Sequence, residues 1–308
     1  MKTTTGTGIT KRVNAISDNH NLSVNTPMTT ARIELTGFCP FNCRFCYNQV
    51  MVKNKERQKS MTKEDFQIAL DAVDAIGTIK EVGLFYMGES GIHPNLAEYY
   101  KQVKDKGYFT YFTTNALIIC HTLQAIPYID SLKVSWNYKD ENDFFAKTGL
   151  HVIRQAKTYS SVLDHISKLY IASHKAGKKL SISTVLDAGE SPEDYKPILS
   201  QLTYDEHYFM PVQTQCGVYK EGLGGVVGEY YNQASLVPCW SLFKGFYIDC
   251  DLNVRTCSYG HTKCHVLGNL KSGFDKDKIL LKRKHLLASL SNDMSKLPDI
   301  CKNCLNCK

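Results

Sequence analysis

Residues 37–48 read Gly-Phe-Cys-Pro-Phe-Asn-Cys-Arg-Phe-Cys-Tyr-Asn, and they follow an apolar run, Ala31 to Thr36, that reads as a strand. Cys39, Cys43 and Cys46 stand there at a CxxxCxxC spacing. A [4Fe-4S] cluster takes four thiolates, so a tight trio with no fourth cysteine nearby leaves one iron open to an outside ligand. An open iron is a place for chemistry, whereas a closed cluster only carries electrons. Two other readings stand beside this one: three unrelated buried cysteines, or a zinc site, although zinc knuckles favour paired CxxC units.

Working outward, Lys80 to Tyr86 reads as a second strand, followed by Met87-Gly88-Glu89 and Ser90-Gly91-Ile92-His93-Pro94. Further strands run into Thr114-Asn115 (YFTTN, 111–115), Ser135 and Asn137 (KVSWN, 133–137), and Ser183 and Thr184 (LSISTVLD, 180–187). The cysteine spacing, with its aromatic follower Tyr47, resembles the signature of the radical S-adenosylmethionine (radical SAM) superfamily. The resemblance implies a [4Fe-4S] cluster on Cys39, Cys43 and Cys46 with S-adenosylmethionine (SAM) bound to it. It further implies cofactor contacts from Tyr47, Gly88, Glu89, Asn115, Ser135, Asn137 and Ser183. Relatives have Gly-Gly-Glu where this chain has Met87-Gly88-Glu89, and they bind the cofactor's amino group there through backbone carbonyls. The Ser90 to Pro94 stretch is similar to the family's "EPllHP" helix start, and YFTTN to its "TNG" strand end.

The pattern between residues 30 and 214 alternates strands and helices, as a parallel sheet demands. Strands are expected at Arg32–Leu35, Lys80–Tyr86, Tyr108–Thr113, Leu132–Trp136, Leu180–Leu186 and His207–Val212. Helices are expected at Lys63–Ile76, Asn95–Lys106, Cys120–Ile126, Ser160–Ala176 and Pro192–Gln201. The first helix carries its own punctuation: Thr62 as N-cap, acidic residues in the first turn and Gly77 at the end. Six βα units fit an α/β fold of the partial (β/α)6 barrel type, in which sites gather at the carboxyl ends of the strands. The cysteine trio, Gly88-Glu89, Asn115, Ser135 and Ser183 all fall at such ends.

Composition agrees with this reading. The chain has 308 residues, 12 cysteines and a formal net charge of +7, a value that shrinks if cysteines ligate metal as thiolates. No stretch approaches the roughly 20 apolar residues of a membrane span, and the start lacks the apolar middle of a secretory signal. A cytoplasmic protein with no membrane partner is expected, in which 12 cysteines suit metal better than disulfides. No nucleic-acid module with interleaved aromatics is present in the sequence.

From residue 215 the texture changes. Residues 1–29 read as a flexible extension, 30–214 as the core, and 215–308 as a small hairpin-plus-helix unit. Cys239 and Cys257 bracket a hairpin with strands Phe246–Ile248 and Val254–Thr256 and a turn at Asp251-Leu252-Asn253, and the chain closes on Cys301, Cys304 and Cys307. This unit resembles the SPASM and Twitch auxiliary-cluster domains, with Leu252 in the position of a glycine that eases positive φ. The resemblance implies one auxiliary [4Fe-4S] cluster on Cys239, Cys257, Cys301 and Cys304, with Cys307 able to replace either tail ligand. A structural zinc site with the same four cysteines is the alternative.

What the resemblance implies for function is reductive cleavage of SAM and hydrogen abstraction from a substrate. An electron donor such as flavodoxin or ferredoxin would be the partner. The substrate is read as a small sugar or aminocyclitol undergoing dehydrogenation or epimerisation. A maturase of a ribosomally made peptide and a non-catalytic iron-sulfur electron carrier are the alternatives. For an epimerase, Cys264 is the expected hydrogen donor, because Leu267 to Leu270 after it is expected to fold back over the barrel mouth. Cys120, in LIICHTL, reads as core packing.

Overall fold

The computed structural model describes residues 25–48, 57–150, 158–187, 189–211, 240–257 and 266–292. Six strands alternate with helices: β1 (Thr30–Ile33), β2 (Glu81–Gly83), β3 (Phe109–Thr114), β4 (Ser131–Ser135), β5 (Leu180–Leu186) and β6 (Glu206–Pro211). Between them lie α1 (Lys63–Ile76), α2 (Leu96–Asp105), α3 (Cys120–Ala125), α4 (Glu141–Thr148), α5 (Thr158–Lys175) and α6 (Lys196–Gln201). Then come α7 (Trp240–Lys244), β7 (Gly245–Ile248), β8 (Asn253–Arg255), β9 (Val266–Asn269) and α8 (Lys276–Asn292). The sheet order is β6-β5-β4-β3-β2-β1-β7-β8-β9, and β1 to β6 pair in parallel. The sheet is open, as a partial barrel requires.

Alternation along the strands decides the faces. In β4 Leu132 and Val134 are buried while Ser131, Lys133 and Ser135 are half-exposed, and β3 repeats this with Thr110, Phe112 and Thr114 buried. The buried set packs under the helices in one large core with Phe66, Leu70, Tyr100, Trp136 and Ile166. The other set lines a polar concave face, which a period of two residues predicts for a half-buried strand.

Local signals hold well. α1 spans Lys63–Ile76 as expected, with the Thr62 side chain accepting from the Asp65 amide and Gly77 in the left-handed region at φ 77°. β2 is shorter than its sequence suggests because Leu84 N–H donates to the Tyr100 hydroxyl at 3.1 Å and so leaves the ladder. The helix α4 was not expected, although Asp140 caps it and Gly149 ends it at φ 68°.

The hairpin forms, but as an extension of the main sheet. β7 pairs in parallel with β1, with Ala31 opposite Phe246 and Ile33 opposite Ile248, and β8 and β9 follow antiparallel. Leu267 to Leu270 therefore runs in an edge strand and the turn after it, with α8 beside it, not across the barrel mouth. Leu252 itself adopts φ 63°, the left-handed conformation that a glycine in its place would reach freely. Among the described residues no helix is long and apolar enough to cross a membrane.

Candidate active site

The cysteine loop leaves β1 and is held by backbone bonds on both sides. Glu89 N–H donates to the Phe38 carbonyl at 2.8 Å, and Gly37 N–H to that of Lys59 at 3.0 Å. From the other side, Asn42 and Arg44 donate to the carbonyls of Thr148 and Lys147 at 2.8 and 3.2 Å. Phe41 meets the Phe144 ring edge-on at 5.7 Å. Thus α4, unforeseen in the sequence, closes one side of the loop.

The three thiols share this loop and sense one another. Burial pushes Cys43 up to about 12, with the Cys46 thiolate adding to the rise. Cys39 and Cys46 are also raised, burial being the main cause. Three thiolates side by side in a desolvated loop need cationic charge to offset them, which is the donor chemistry of an iron-sulfur site. Among the described residues no three His, Cys, Asp or Glu side chains converge on a point where one metal ion could sit.

Around the trio, the expected cofactor residues divide into two kinds. Gly88 is pressed against the loop: a Cβ there would lie 2.0 Å from the Thr36 carbonyl oxygen, so only glycine permits this approach. Ser183 sits opposite Ser135 in the β4–β5 ladder, and its hydroxyl is buried without a hydrogen-bond partner. Ser183 lies at the middle of β5 and not, as expected, at its end, because β5 runs on to Leu186 along β6; an orphaned buried hydroxyl there still fits a ligand group. Asn115 aims its amide at the Cys39 sulfur, 3.7 Å away. Tyr47 is buried beside the last cysteine.

The side chains of Glu89 and Asn137 also bond the protein itself. The Glu89 carboxylate accepts from Gly91 N, Thr114 Oγ1 and Asn115 N at 2.9, 2.9 and 2.7 Å, joining the ends of β2 and β3. Asn137 accepts Val185 N–H on its side-chain oxygen at 2.7 Å, bracing β4 to β5. After Asn115, Ala116 takes φ 59°, the conformation for which a Thr-Asn-Gly pattern supplies glycine.

Two charged residues at this end escaped sequence reasoning. Glu34 is fully buried and pairs with Arg57. Lys147 is buried and donates to Asn137 O, Glu190 Oε1 and Tyr195 OH at 3.0, 2.7 and 2.9 Å. A glutamate inside the apolar run Ala31 to Leu35 was the available signal for the first, and Asp140 with Gly149 for the helix that carries the second.

Lower on the concave face lies a cavity of about 470 Å³ that reaches the strand starts, lined by Glu81, Phe109, Ser131 and Glu206 together with Tyr111, Thr113, Lys133, Ser181 and Tyr208. Thr113, Lys133 and Ser181 each precede Asn115, Ser135 and Ser183 by two residues. They therefore share the same face, roughly 7 Å below.

On the hairpin side, Cys257 is buried and its carbonyl accepts from the Tyr86 hydroxyl at 2.8 Å. Cys239, Cys301, Cys304, Cys307, Cys216 and Cys264 lie outside the described residues. Cys250 is buried, with its thiol donating to the Arg57 carbonyl at 3.7 Å. Cys120 is exposed at the first position of α3, so it does not pack the core.

A sequence model of the radical SAM superfamily matches residues 33–202. No curated protein matches the chain. Among solved structures, the chain is similar to BtrN in complex with AdoMet and 2-DOIA, with 13% identity, 90% of this chain and 92% of that one covered, and a TM-score of 0.52. It is similar to Streptococcus suis SuiB bound to precursor peptide SuiA, with 15% identity, 97% and 73% covered, and a TM-score of 0.58. It is also similar to anSMEcpe with bound AdoMet and Cp18Cys peptide, with 14% identity, 90% and 86% covered, and a TM-score of 0.59. At such identities the likeness speaks for the fold alone.

Proposed function

The chain belongs to the radical SAM superfamily, and from that premise we propose that it abstracts hydrogen from a small sugar or aminocyclitol, leading to dehydrogenation or epimerisation. Cys39, Cys43 and Cys46 would hold the [4Fe-4S] cluster, and Gly88, Asn115, Ser135 and Ser183 would contact SAM. Together these groups, once supplied with an electron by a flavodoxin or ferredoxin, provide the one-electron chemistry that starts hydrogen abstraction.

The observation that carries the small-substrate reading is the cavity on the same concave face, whose lining runs from the strand starts at Glu81, Phe109 and Ser131 up to Thr113, two residues before Asn115. Its volume of about 470 Å³ suits a small molecule, since ligand pockets run to about 300–1,000 Å³. Its hydroxyl, ammonium, carboxylate and aromatic groups suit a ring bearing hydroxyls and amines. The chain's own task is to fix that ring beneath the cofactor and keep water and stray donors out. Cys239, Cys257, Cys301 and Cys304 would hold an auxiliary [4Fe-4S] cluster able to take the electron of a dehydrogenation.

The test is anaerobic loading with iron and sulfide, reduction, and measurement of 5′-deoxyadenosine with SAM alone and with panels of aminocyclitols, sugars and peptides. Deoxyadenosine should form, rise with an aminocyclitol or sugar, and vanish when Cys39, Cys43 and Cys46 are replaced by alanine. Stimulation by peptides alone would favour a maturase. No SAM cleavage despite full iron loading would favour an electron carrier. With both clusters, iron should reach about eight per chain, and zinc in place of half of it would overturn the auxiliary cluster.

A further inference from the structure

Glu34 lies one residue past β1, and its carboxylate collects donors from three separate segments. Oε2 accepts from Arg57 Nε at 3.0 Å and from the Cys250 amide at 3.1 Å. Oε1 accepts from the amides of Met87 and Gly88 at 3.1 and 3.4 Å. A buried carboxylate needs such donors, and so do backbone amides that have left a sheet. Leu84 had already turned its N–H to a tyrosine hydroxyl, so the strand end from Met87 has no ladder to set its orientation.

Peptide planarity then fixes more than the amides. In a trans peptide the N–H and the preceding C=O point in opposite directions, and no cis peptide bond occurs among the described residues. With the Met87 and Gly88 N–H groups aimed into Glu34, the carbonyl oxygens of Tyr86 and Met87 face away from it.

We infer that Glu34 is a positioning residue for SAM: it holds two successive peptide groups so that the Tyr86 and Met87 carbonyls stand ready to accept from the cofactor's ammonium group. The inference rests on the reading that SAM binds at this strand end. It also explains how Met87 stands where relatives have glycine, because orientation comes from the carboxylate behind the strand and not from the side chain. Through the Cys250 amide the same carboxylate ties the hairpin to this register.

Glu34→Gln separates these roles. Arg57 keeps the remaining amide oxygen, so the new NH2 group faces the Met87 and Gly88 amides, donor against donor, and the peptide groups must turn. Because the single change leaves the Arg57 charge uncompensated, the double variant Glu34→Leu/Arg57→Met restores a neutral interior while leaving the Met87 and Gly88 amides no carboxylate to aim at. The measurement is SAM affinity by calorimetry on the iron-loaded, unreduced protein, alongside iron content and unfolding midpoint. Both variants should bind SAM at least about tenfold more weakly with iron content retained, and the double variant should recover stability without recovering affinity. Affinity in the double variant within about twofold of the parent would overturn the inference. In the unaltered chain, the Met87 and Gly88 amide protons should exchange slowly with solvent, and fast exchange would overturn it without any variant. If the unaltered, iron-loaded chain binds no SAM, it is the reading of the site that fails.

Discussion

Glu34 and Lys147 are both buried charges beside the cysteine loop, yet they act on different parts of the chain. The Glu34 anion gathers N–H groups from Met87, Gly88 and Cys250 and so sets which way peptide groups face. The Lys147 cation lies between two carboxylates, 3.0 Å from Asp143 and 2.7 Å from Glu190, and bonds the Asn137 carbonyl. Its own backbone carbonyl, with that of Thr148, receives the loop amides of Arg44 and Asn42. One charge aims the strand end where a ligand is expected; the other fixes the helix on which the loop leans. The contrast teaches that orientation and anchoring are separable duties here, and each can be attacked without touching a cysteine.

The largest effect should come from Lys147→Met. Removing the buried cation leaves the partly buried Asp143 and Glu190 without their shared partner and the Asn137 carbonyl without its donor, at a cost of about 3 kcal/mol, the low end for a broken buried pair. Denaturant unfolding should show this loss, and iron loading should fall because the Asn42 and Arg44 anchors loosen. A loss under about 1 kcal/mol would place the cluster of charges with ordinary exposed pairs and erase the distinction between the two hubs.

Acid should find the same hub next. Burial alone would raise the Glu190 carboxyl, but hydrogen bonds from Lys147, Tyr195 and the Asp187 amide hold it down at about 2, against an ordinary 4.5. The unfolded chain takes up this proton first, so the stabilisation is complete above pH 4.5 and drains away as pH falls toward about 2. Allowing for screening at this half-buried site, its size is on the order of 1–2 kcal/mol. Stability measured from pH 5 downward should fall less steeply in that window in Glu190→Gln than in the parent. Equal slopes would assign the acid sensitivity elsewhere.

What the sequence disclosed and what it withheld follow from the range of the interactions. The ends of α1 were legible because Thr62 and Gly77 act within one turn of the helix. The place of the cysteine loop after β1 and the shared face of Ser135 and Ser183 were legible from short spacing and from alternation. β2 was read three residues too far at its carboxyl end because the Tyr100 hydroxyl that takes the Leu84 amide lies 16 residues away. The parallel pairing of β7 with β1 joins residues more than 200 positions apart, and no local pattern encodes it. Glu34 is bonded to Cys250 over 216 positions, so its burial could be suspected from an apolar run but its partners could not.

On the Glu34 side, the hairpin turn offers a smaller test. Leu252 is fully buried yet holds φ 63°. Leu252→Gly would relieve about 1–2 kcal/mol of left-handed strain, but it would lose about 2–5 kcal/mol of burial and loosen the unfolded chain further. Burial should win, with a net loss of about 2 kcal/mol by chemical unfolding. A gain in stability would mean that the turn, and with it the Cys250 amide on Glu34, is strained beyond what the core repays.

The smallest effect should appear at Ala116, where the same substitution meets a different balance. Ala116 is also buried and left-handed, at φ 59°, but only a methyl group is at stake. Glycine there relieves about 1–2 kcal/mol of backbone strain, forfeits about 0.8 kcal/mol of methyl burial, and gives the unfolded chain about 0.4–1 kcal/mol of extra freedom. These terms cancel to within about 0.5 kcal/mol, so the unfolding midpoint of Ala116→Gly should barely move. Ala116 N–H donates to Thr114 Oγ1 at 3.1 Å, and Asn115 N–H to Glu89 at 2.7 Å, bonds that hold the turn whichever residue fills it. Alanine thus keeps the conformation that a glycine would reach freely, because Glu89 and Thr114 dictate it from outside. A stabilisation above about 1 kcal/mol would show the reverse: a turn held against its preference, with strain stored beside Asn115 and Cys39.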